Sequence, residues 1–60
     1  MNAELIEARR SYLNQCTDVG KILEEYHDDE MSEFVVSTAG DVTVYRVYGK
    51  KPSDFYCVCK

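Results

Sequence analysis

The sequence predicts an α+β fold in which an N-terminal helix, or a helix pair, packs on one face of a three-stranded antiparallel β-meander. Apolar residues recur at helical spacing over about residues 3–28. Three segments rich in β-branched and aromatic residues follow between about residues 33 and 59, separated by two turn-forming breaks. Because 60 residues provide material for only one modest core, we expect a single domain over residues 1–60.

The helical segment carries a stripe that is expected to lie on the sheet. In chain order, this stripe contains Leu5, Arg9, Tyr12, Cys16, Val19, Leu23 and Tyr26. Asn2 precedes the stripe and is expected to act as the N-cap. A continuous helix of about 26 residues would be roughly 39 Å long, whereas a seven-residue strand spans only about 23 Å. Since residues 14–18 are weak helix formers, we expect two helices, at about 3–14 and 17–28.

The first turn of the meander sets the expected strand register. A three-residue loop at 38–40, with Gly40 in the left-handed conformation, would pair Phe34 with Val44. A two-residue loop at Ala39 and Gly40 would require an unfavourable positive φ at Ala39. We therefore expect the three-residue loop. Its predicted core face consists of Phe34, Val36, Val42, Val44 and Tyr48, and the opposite face contains Val35, Thr43, Tyr45 and Val47.

The third predicted strand leaves two orientations open. Either Phe55, Cys57 and Cys59 face the core, or Tyr56 and Val58 do. In both cases apolar residues lie on both faces of the sheet, while one helical layer covers only one face. We expect the second face to be covered, most simply by the same face of a second copy in a two-fold homodimer and otherwise by the regulated partner protein. This predicted partner or dimer face consists of Val35, Tyr45, Val47, Tyr56 and Val58.

Charge is distributed unevenly along the chain, whose net charge is −4. Six acidic residues within ten positions are expected to form a surface that binds a basic partner: Glu24, Glu25, Asp28, Asp29, Glu30 and Glu33. A smaller basic and aromatic group offers an alternative nucleic-acid contact through phosphate binding and base stacking: Arg46, Lys50, Lys51 and Tyr48. The negative net charge makes nucleic acid the less expected partner.

Residues suited to catalysis or metal binding are few. The three cysteines and His27 have the composition of a zinc site but not its spacing, since the chain has no CxxC or HxxxH pair. We therefore expect no metal or other cofactor, with Cys16 and one strand cysteine buried as small apolar residues and His27 exposed. The serines have no nucleophile-elbow context and the glycines no phosphate-loop spacing, so we expect no enzymatic activity.

These features together lead to a functional expectation. The chain has no run of eighteen apolar residues and no basic-then-apolar leader, so we expect a cytoplasmic protein without a membrane span. We expect a small acidic protein that binds and regulates or inhibits another protein, and such chains are typical of phages and mobile elements. The alternative function is a nucleic-acid-binding module that uses a basic and aromatic surface of the sheet.

Overall fold

The structure, a computed structural model that describes residues 2–59, contains one α-helix packed on a four-stranded antiparallel sheet. The strands follow one another across the sheet in the order β1-β2-β3-β4. The elements are α1 (Ala3–Cys16), β1 (Lys21–His27), β2 (Met31–Thr38), β3 (Asp41–Tyr48), a 3₁₀ turn (Pro52–Asp54) and β4 (Tyr56–Cys59). The predicted α+β class, with helical structure on a sheet, is confirmed, but the sheet has four strands and not three.

The first half of the predicted helical segment forms α1. Asn2 caps it as expected, because its side-chain oxygen accepts a hydrogen bond of 2.8 Å from the Glu4 amide. The helix ends where Thr17 becomes extended, and the Thr17 amide donates to the Leu13 carbonyl. Leu13 is fully buried, and Leu5 and Tyr12 pack around the same core. Of the predicted stripe in this part of the chain, Leu5, Arg9 and Tyr12 face the sheet, whereas Cys16 is exposed.

The prediction of a second helix at about 17–28 is wrong, because residues 21–27 form edge strand β1. Gly20 leads into this strand so close to β2 that a Cβ there would collide with the Ser37 carbonyl oxygen. A β-bulge at Leu23, between Ile22 and Glu24, interrupts the alternation of side chains between the two faces of β1. The apolar residues of this strand are therefore spaced as they would be in a helix. As a strand, this segment pairs its backbone with β2 and lets Ile22 pack on the core.

The turn between β1 and β2 is closed by an aspartate. One carboxylate oxygen of Asp28 accepts hydrogen bonds from the Glu30 and Met31 amides at 2.8 and 2.9 Å. Those two amides are the main reason that the pKa of Asp28 lies below its ordinary value. An aspartate that binds the backbone two and three residues ahead is a typical turn former, so it ends β1 rather than a helix.

The predicted register of the β2–β3 hairpin is also wrong. Thr38 pairs with Asp41, which leaves a two-residue loop in which Ala39 and Gly40 have φ angles of 48° and 88°. Positive φ at both positions is the pattern of the type I′ hairpin turn. A left-handed alanine costs roughly 1–2 kcal/mol. The observed register places the fully buried Val47, together with Tyr45, on the helix-facing side, and burying a valine side chain is worth about 1.5–3 kcal/mol.

The one-residue change in register exchanges the two faces of β3. Val47 and Tyr45, predicted to point away from the core, lie on the helix-facing side, opposite Ser32 and Phe34 of β2. Three residues predicted for the core face lie on the other side of the sheet: Val42, Val44 and Tyr48. Val42 is 61% exposed as a result. Phe34 and Val36 are fully buried, as expected.

Strand β4 takes the first of its two predicted orientations. Val47 pairs with Cys57 and Tyr45 pairs with Cys59, so the two cysteines share the helix-facing side. Phe55, which precedes the strand, belongs to the buried core. Tyr56 and Val58 consequently point to the opposite side of the sheet.

Arg9 is fully buried and joins the helix to two loops. Its guanidinium donates to the carbonyl oxygen of Gly49 at 2.6 and 3.0 Å, and to those of Asp28 and Asp29 at 2.8 and 3.1 Å. A further hydrogen bond of 3.2 Å reaches the Ser32 hydroxyl. Its planar fork thus satisfies backbone oxygens in the β1–β2 turn and after β3. Between residues 2 and 59, no helix is long and apolar enough to cross a membrane.

Candidate functional site: the open face of the sheet

The side of the sheet away from α1 is the candidate site, and it is termed here the open face. Its side chains are all exposed or half-buried. They are Lys21, Glu24, Tyr26, Met31, Glu33, Val35, Ser37, Val42, Val44, Arg46, Tyr48, Tyr56 and Val58. Valines and tyrosines predominate, whereas the solvated face of an antiparallel sheet is ordinarily polar.

An ion pair crosses the middle of the open face. Arg46 donates from Nε to the Glu33 carboxylate at 2.8 Å, and these two residues are direct cross-strand neighbours. The carboxylate hydrogen bond is the main cause of the raised pKa of Arg46. Because both side chains remain about a quarter exposed, the pair contributes little to stability. Its main effect is to neutralise one acid and one base within an otherwise apolar region.

Two aromatic groups lie on either side of this pair. Tyr48 and Tyr56 stack with their ring centroids 5.2 Å apart and their planes 10° from parallel. Tyr56 is 55% exposed, and Tyr26 on edge strand β1 is 56% exposed. Exposed tyrosines of this kind are enriched in protein interfaces because they combine a large apolar ring with a polar end.

A groove runs over β1 and β2 at one edge of the open face, and it is termed here the β1 groove. Glu24, Tyr26, Glu33 and Val35 line it, together with Glu25. In the register, Glu24 pairs with Val35 and Tyr26 with Glu33, so the two carboxylates stand at opposite corners. The groove therefore offers an aromatic ring and an apolar floor between acidic groups.

The predicted acidic surface is divided by the fold. Only Glu24 and Glu33 lie on the open face. Glu25 lies on the helix-facing side and binds Arg10 through both carboxylate oxygens, at 2.6 and 3.2 Å. The remaining three residues, Asp28, Asp29 and Glu30, form the β1–β2 turn. Two of the six acids thus remain in the candidate site.

The predicted partner face is divided in the same way. Val35, Tyr56 and Val58 lie on the open face, whereas Tyr45 and Val47 pack against the helix side. The open-face residues that sequence reasoning missed include Lys21, Tyr26, Met31, Ser37, Val42 and Val44. The signal that would have found Tyr26 is the Asp28-Asp29-Glu30 run, which suits a hairpin turn and implies a strand before it.

The four residues of the predicted nucleic-acid contact are divided between the open face and the loop before β4. Arg46 and Tyr48 lie on the open face, where Arg46 binds Glu33 and Tyr48 stacks on Tyr56. Lys50 and Lys51 belong to the loop before β4, where they border a surface depression with the start of α1. The two lysines are exposed.

A chain of polar side chains on the helix side resembles a serine–histidine–acid arrangement. His27 Nδ1 lies 2.7 Å from the Ser32 hydroxyl, and its Nε2 lies 2.8 Å from Glu25. Ser32, however, is fully buried and its oxygen accepts a hydrogen bond from Arg9. A substrate cannot reach that hydroxyl. The three hydrogen-bonded side chains therefore act to position the β1–β2 hairpin. The expected exposure of His27 is wrong, since its side chain is only 16% exposed.

The other side chains that could react or bind a metal are those of the three cysteines, all present as thiols. Cys16 and Cys59 are exposed and Cys57 is half-buried, so the expected burial of Cys16 is wrong. Within residues 2–59, no group of three or more histidine, cysteine or acidic side chains is arranged to hold a metal ion.

Comparisons with protein-family models, with curated proteins and with solved structures each found no match. The function of the open face is therefore inferred from its geometry and chemistry.

Proposed function

We propose that this protein acts by binding another protein through the open face of its sheet. The observation that carries the proposal is an uncovered sheet face rich in exposed tyrosine and valine, on a sheet whose other side is covered by α1. Apolar patches of this kind on small proteins commonly mark interaction sites. Tyrosine and arginine are enriched in protein interfaces, and the open face carries Tyr26, Tyr48, Tyr56 and Arg46.

The charges of the β1 groove support a partner that presents a lysine or arginine. Glu24 can pair with a cationic head, while the Tyr26 ring and Val35 pack against its aliphatic stem. Glu33 already binds the Arg46 guanidinium from within the same chain. The net charge of −4 favours the approach of a basic protein surface.

Binding without chemistry on this face implies a regulatory role. A protein that occupies a basic and apolar surface of its partner blocks that surface for other molecules. Regulation or inhibition of the partner is the expected consequence.

Nucleic acid is supported less well as the occupant. Arg46 is engaged with Glu33, and Glu24 would repel phosphates approaching this face. Tyr48 and Tyr56 stack on each other, which leaves fewer ring faces for bases. An electrophoretic shift series at low salt separates the two functions, because a phosphate-binding protein must retard nucleic acid there.

The test compares Tyr56→Lys on the open face with Asn14→Lys on the exposed side of α1, which adds the same charge elsewhere. Each tagged full-length variant is used to isolate partners from lysate, and recovered proteins are then purified and titrated. A partner that binds the wild type and Asn14→Lys, but binds Tyr56→Lys at least tenfold more weakly, supports the proposal. A partner unaffected by Tyr56→Lys and by Glu24→Lys contradicts it.

Sedimentation equilibrium on the same proteins tests the second copy as occupant. If the wild type sediments as a dimer at micromolar concentration and Tyr56→Lys as a monomer, the open face binds itself and the basic partner is rejected.

A further inference from the structure

The C-terminal end of α1 lies over the part of the sheet that carries the other two cysteines. Thr17, the residue after Cys16, has its hydroxyl 3.3 Å from the Tyr45 hydroxyl. Tyr45 is the cross-strand neighbour of Cys59, and two residues farther along β3, Val47 is the neighbour of Cys57. Both β4 cysteines therefore lie on the helix-facing side of the sheet, next to the strand that contacts the end of α1.

A second contact fixes the same helix end from the other direction. Tyr12, one turn before Cys16, packs edge-on against Phe55 with ring centroids 5.6 Å apart and planes at 71°. Phe55 directly precedes β4. Contacts before and after Cys16 thus hold it beside the middle of β4.

The Cys57 thiol has Cys16 as a neighbour. Burial is the main reason that the pKa of Cys57 is raised, and the adjacent Cys16 and Cys59 thiols raise it further. Cys57 also packs on the buried core, whereas Cys16 is exposed. The Cys16 thiol is therefore more accessible to a reagent than the Cys57 thiol.

We propose that Cys16 and Cys57 form a reversible disulfide that fastens the end of α1 to edge strand β4. This inference does not depend on the proposed protein-binding function. Cys57 and Cys59 are the less suitable pair, because side chains two residues apart on one strand stand roughly 6.5–7 Å apart and diverge from a bridging geometry.

The chemistry is thiol–disulfide exchange with a small disulfide such as oxidised glutathione. The Cys16 thiol loses its proton and attacks one sulfur of oxidised glutathione, which forms a mixed disulfide and releases one glutathione thiolate. The Cys57 thiol then loses its proton and attacks the Cys16 sulfur, which releases the second glutathione. Two protein thiols are oxidised, one glutathione disulfide is reduced, and the two protons end on the two glutathione thiols.

The bridge would act on the shortest strand of the sheet. β4 has four residues and pairs only with β3. Its alternate residues, Tyr56 and Val58, belong to the open face, so a bridge on the helix side would restrict the motion of a strand that contributes to both sides. A cross-link between residues far apart in sequence also restricts the unfolded chain.

The experiment incubates the full-length reduced protein with excess oxidised glutathione, then counts remaining thiols by alkylation and mass spectrometry. The wild type is expected to form one intramolecular bridge, which peptide mapping places between Cys16 and Cys57, with Cys59 recovered as the thiol or as its glutathione adduct. Cys59→Ser should still close the bridge, while Cys16→Ser should not. The oxidised wild type should melt about 10 °C higher than the reduced protein, and dithiothreitol should reverse the change.

Circular dichroism of reduced Cys16→Ser and Cys57→Ala checks that both variants are folded. Three remaining thiols in the folded wild type after treatment would overturn the proposal. A map showing Cys57 bridged to Cys59, or bridges only between separate chains, would overturn it as well.

Discussion

The two faces of the sheet are built from similar residue types but differ in how completely those residues are packed. On the helix side, Phe34, Val36 and Val47 have no exposed surface. Among the described residues, buried side-chain polar atoms on that side, including those of Arg9 and Ser32, all have hydrogen-bond partners. On the open face no residue is fully buried, and the tyrosines project into solvent.

This difference indicates where stability and binding reside. A face in which every group is satisfied contributes to folding and tolerates little change. A face with exposed apolar groups and one exposed ion pair contributes little to folding and gains when a partner covers it. Variants that affect one face and spare the other therefore test the comparison.

The largest expected effect is at Arg9. Arg9→Ala removes the hydrogen bonds to three backbone carbonyls and to Ser32, so we expect the free energy of unfolding to fall by about 3 kcal/mol or more. The adjacent Arg10→Ala provides the control, because it loses only the surface ion pairs with Glu7 and Glu25, each worth less than about 1 kcal/mol. Urea denaturation measures both, and equal losses would remove the assigned role of Arg9.

The next effect distinguishes the two sides of one strand. Val47→Ala deletes buried methyl groups and is expected to destabilise the fold by about 2 kcal/mol. Val44→Ala, the same change on the open face of β3, should cost less than about 1 kcal/mol. Thermal or urea melts of the two variants check the strand register. If Val44→Ala were the less stable variant, the result would support the register with a three-residue loop instead.

A smaller effect of opposite sign is expected at the hairpin turn. Ala39→Asn places a residue that tolerates positive φ before Gly40, in the Asn-Gly pattern that type I′ turns favour. We expect a gain of about 0.5–1 kcal/mol, since part of the left-handed alanine strain is relieved. Ser53→Asn, an exposed change outside the hairpin, is the control. A loss of stability at Ala39→Asn would argue against the observed turn.

The smallest effect is a pH dependence at Glu25. Hydrogen bonds from Arg10, and then from His27, hold the pKa of the Glu25 carboxylate below its ordinary value of 4.5. A folded-state pKa below the unfolded one stabilises the protein above about pH 4.5, and this contribution disappears as the pH falls through the lowered pKa.

Glu25→Gln should therefore lower the melting temperature by a few degrees at pH 7 and reduce the acid-induced fall in stability. Glu24→Gln on the open side of the same strand is the matched control, because Glu24 does not contact Arg10 or His27. Melting curves from pH 7 down to pH 3 test this. If the melting temperature of Glu25→Gln fell as steeply as that of the wild type between pH 7 and pH 3, Glu25 would not be the source of this pH dependence.

Residues 21–27 illustrate why sequence reasoning was incomplete. The bulge at Leu23 shifts the alternation of β1 so that Ile22, Leu23 and Tyr26 fit helical spacing as well as strand pairing. Local preference did not separate the two structures, and pairing with β2 decided between them. The open face was anticipated as an uncovered apolar surface, but the wrong hairpin register placed Tyr45 and Val47 on it.

What the sequence alone determined is local. The N-cap at Asn2, the first turns of α1, the positions of β2 and β3 and the excess of apolar residues over what one helix can cover all follow from short-range chemistry and periodicity. The tertiary structure alone decided the register at Ala39, the strand at 21–27 and the carbonyl partners of Arg9. Each of these depends on contacts between residues distant in sequence, whose combined energy exceeds the local preference that opposes it.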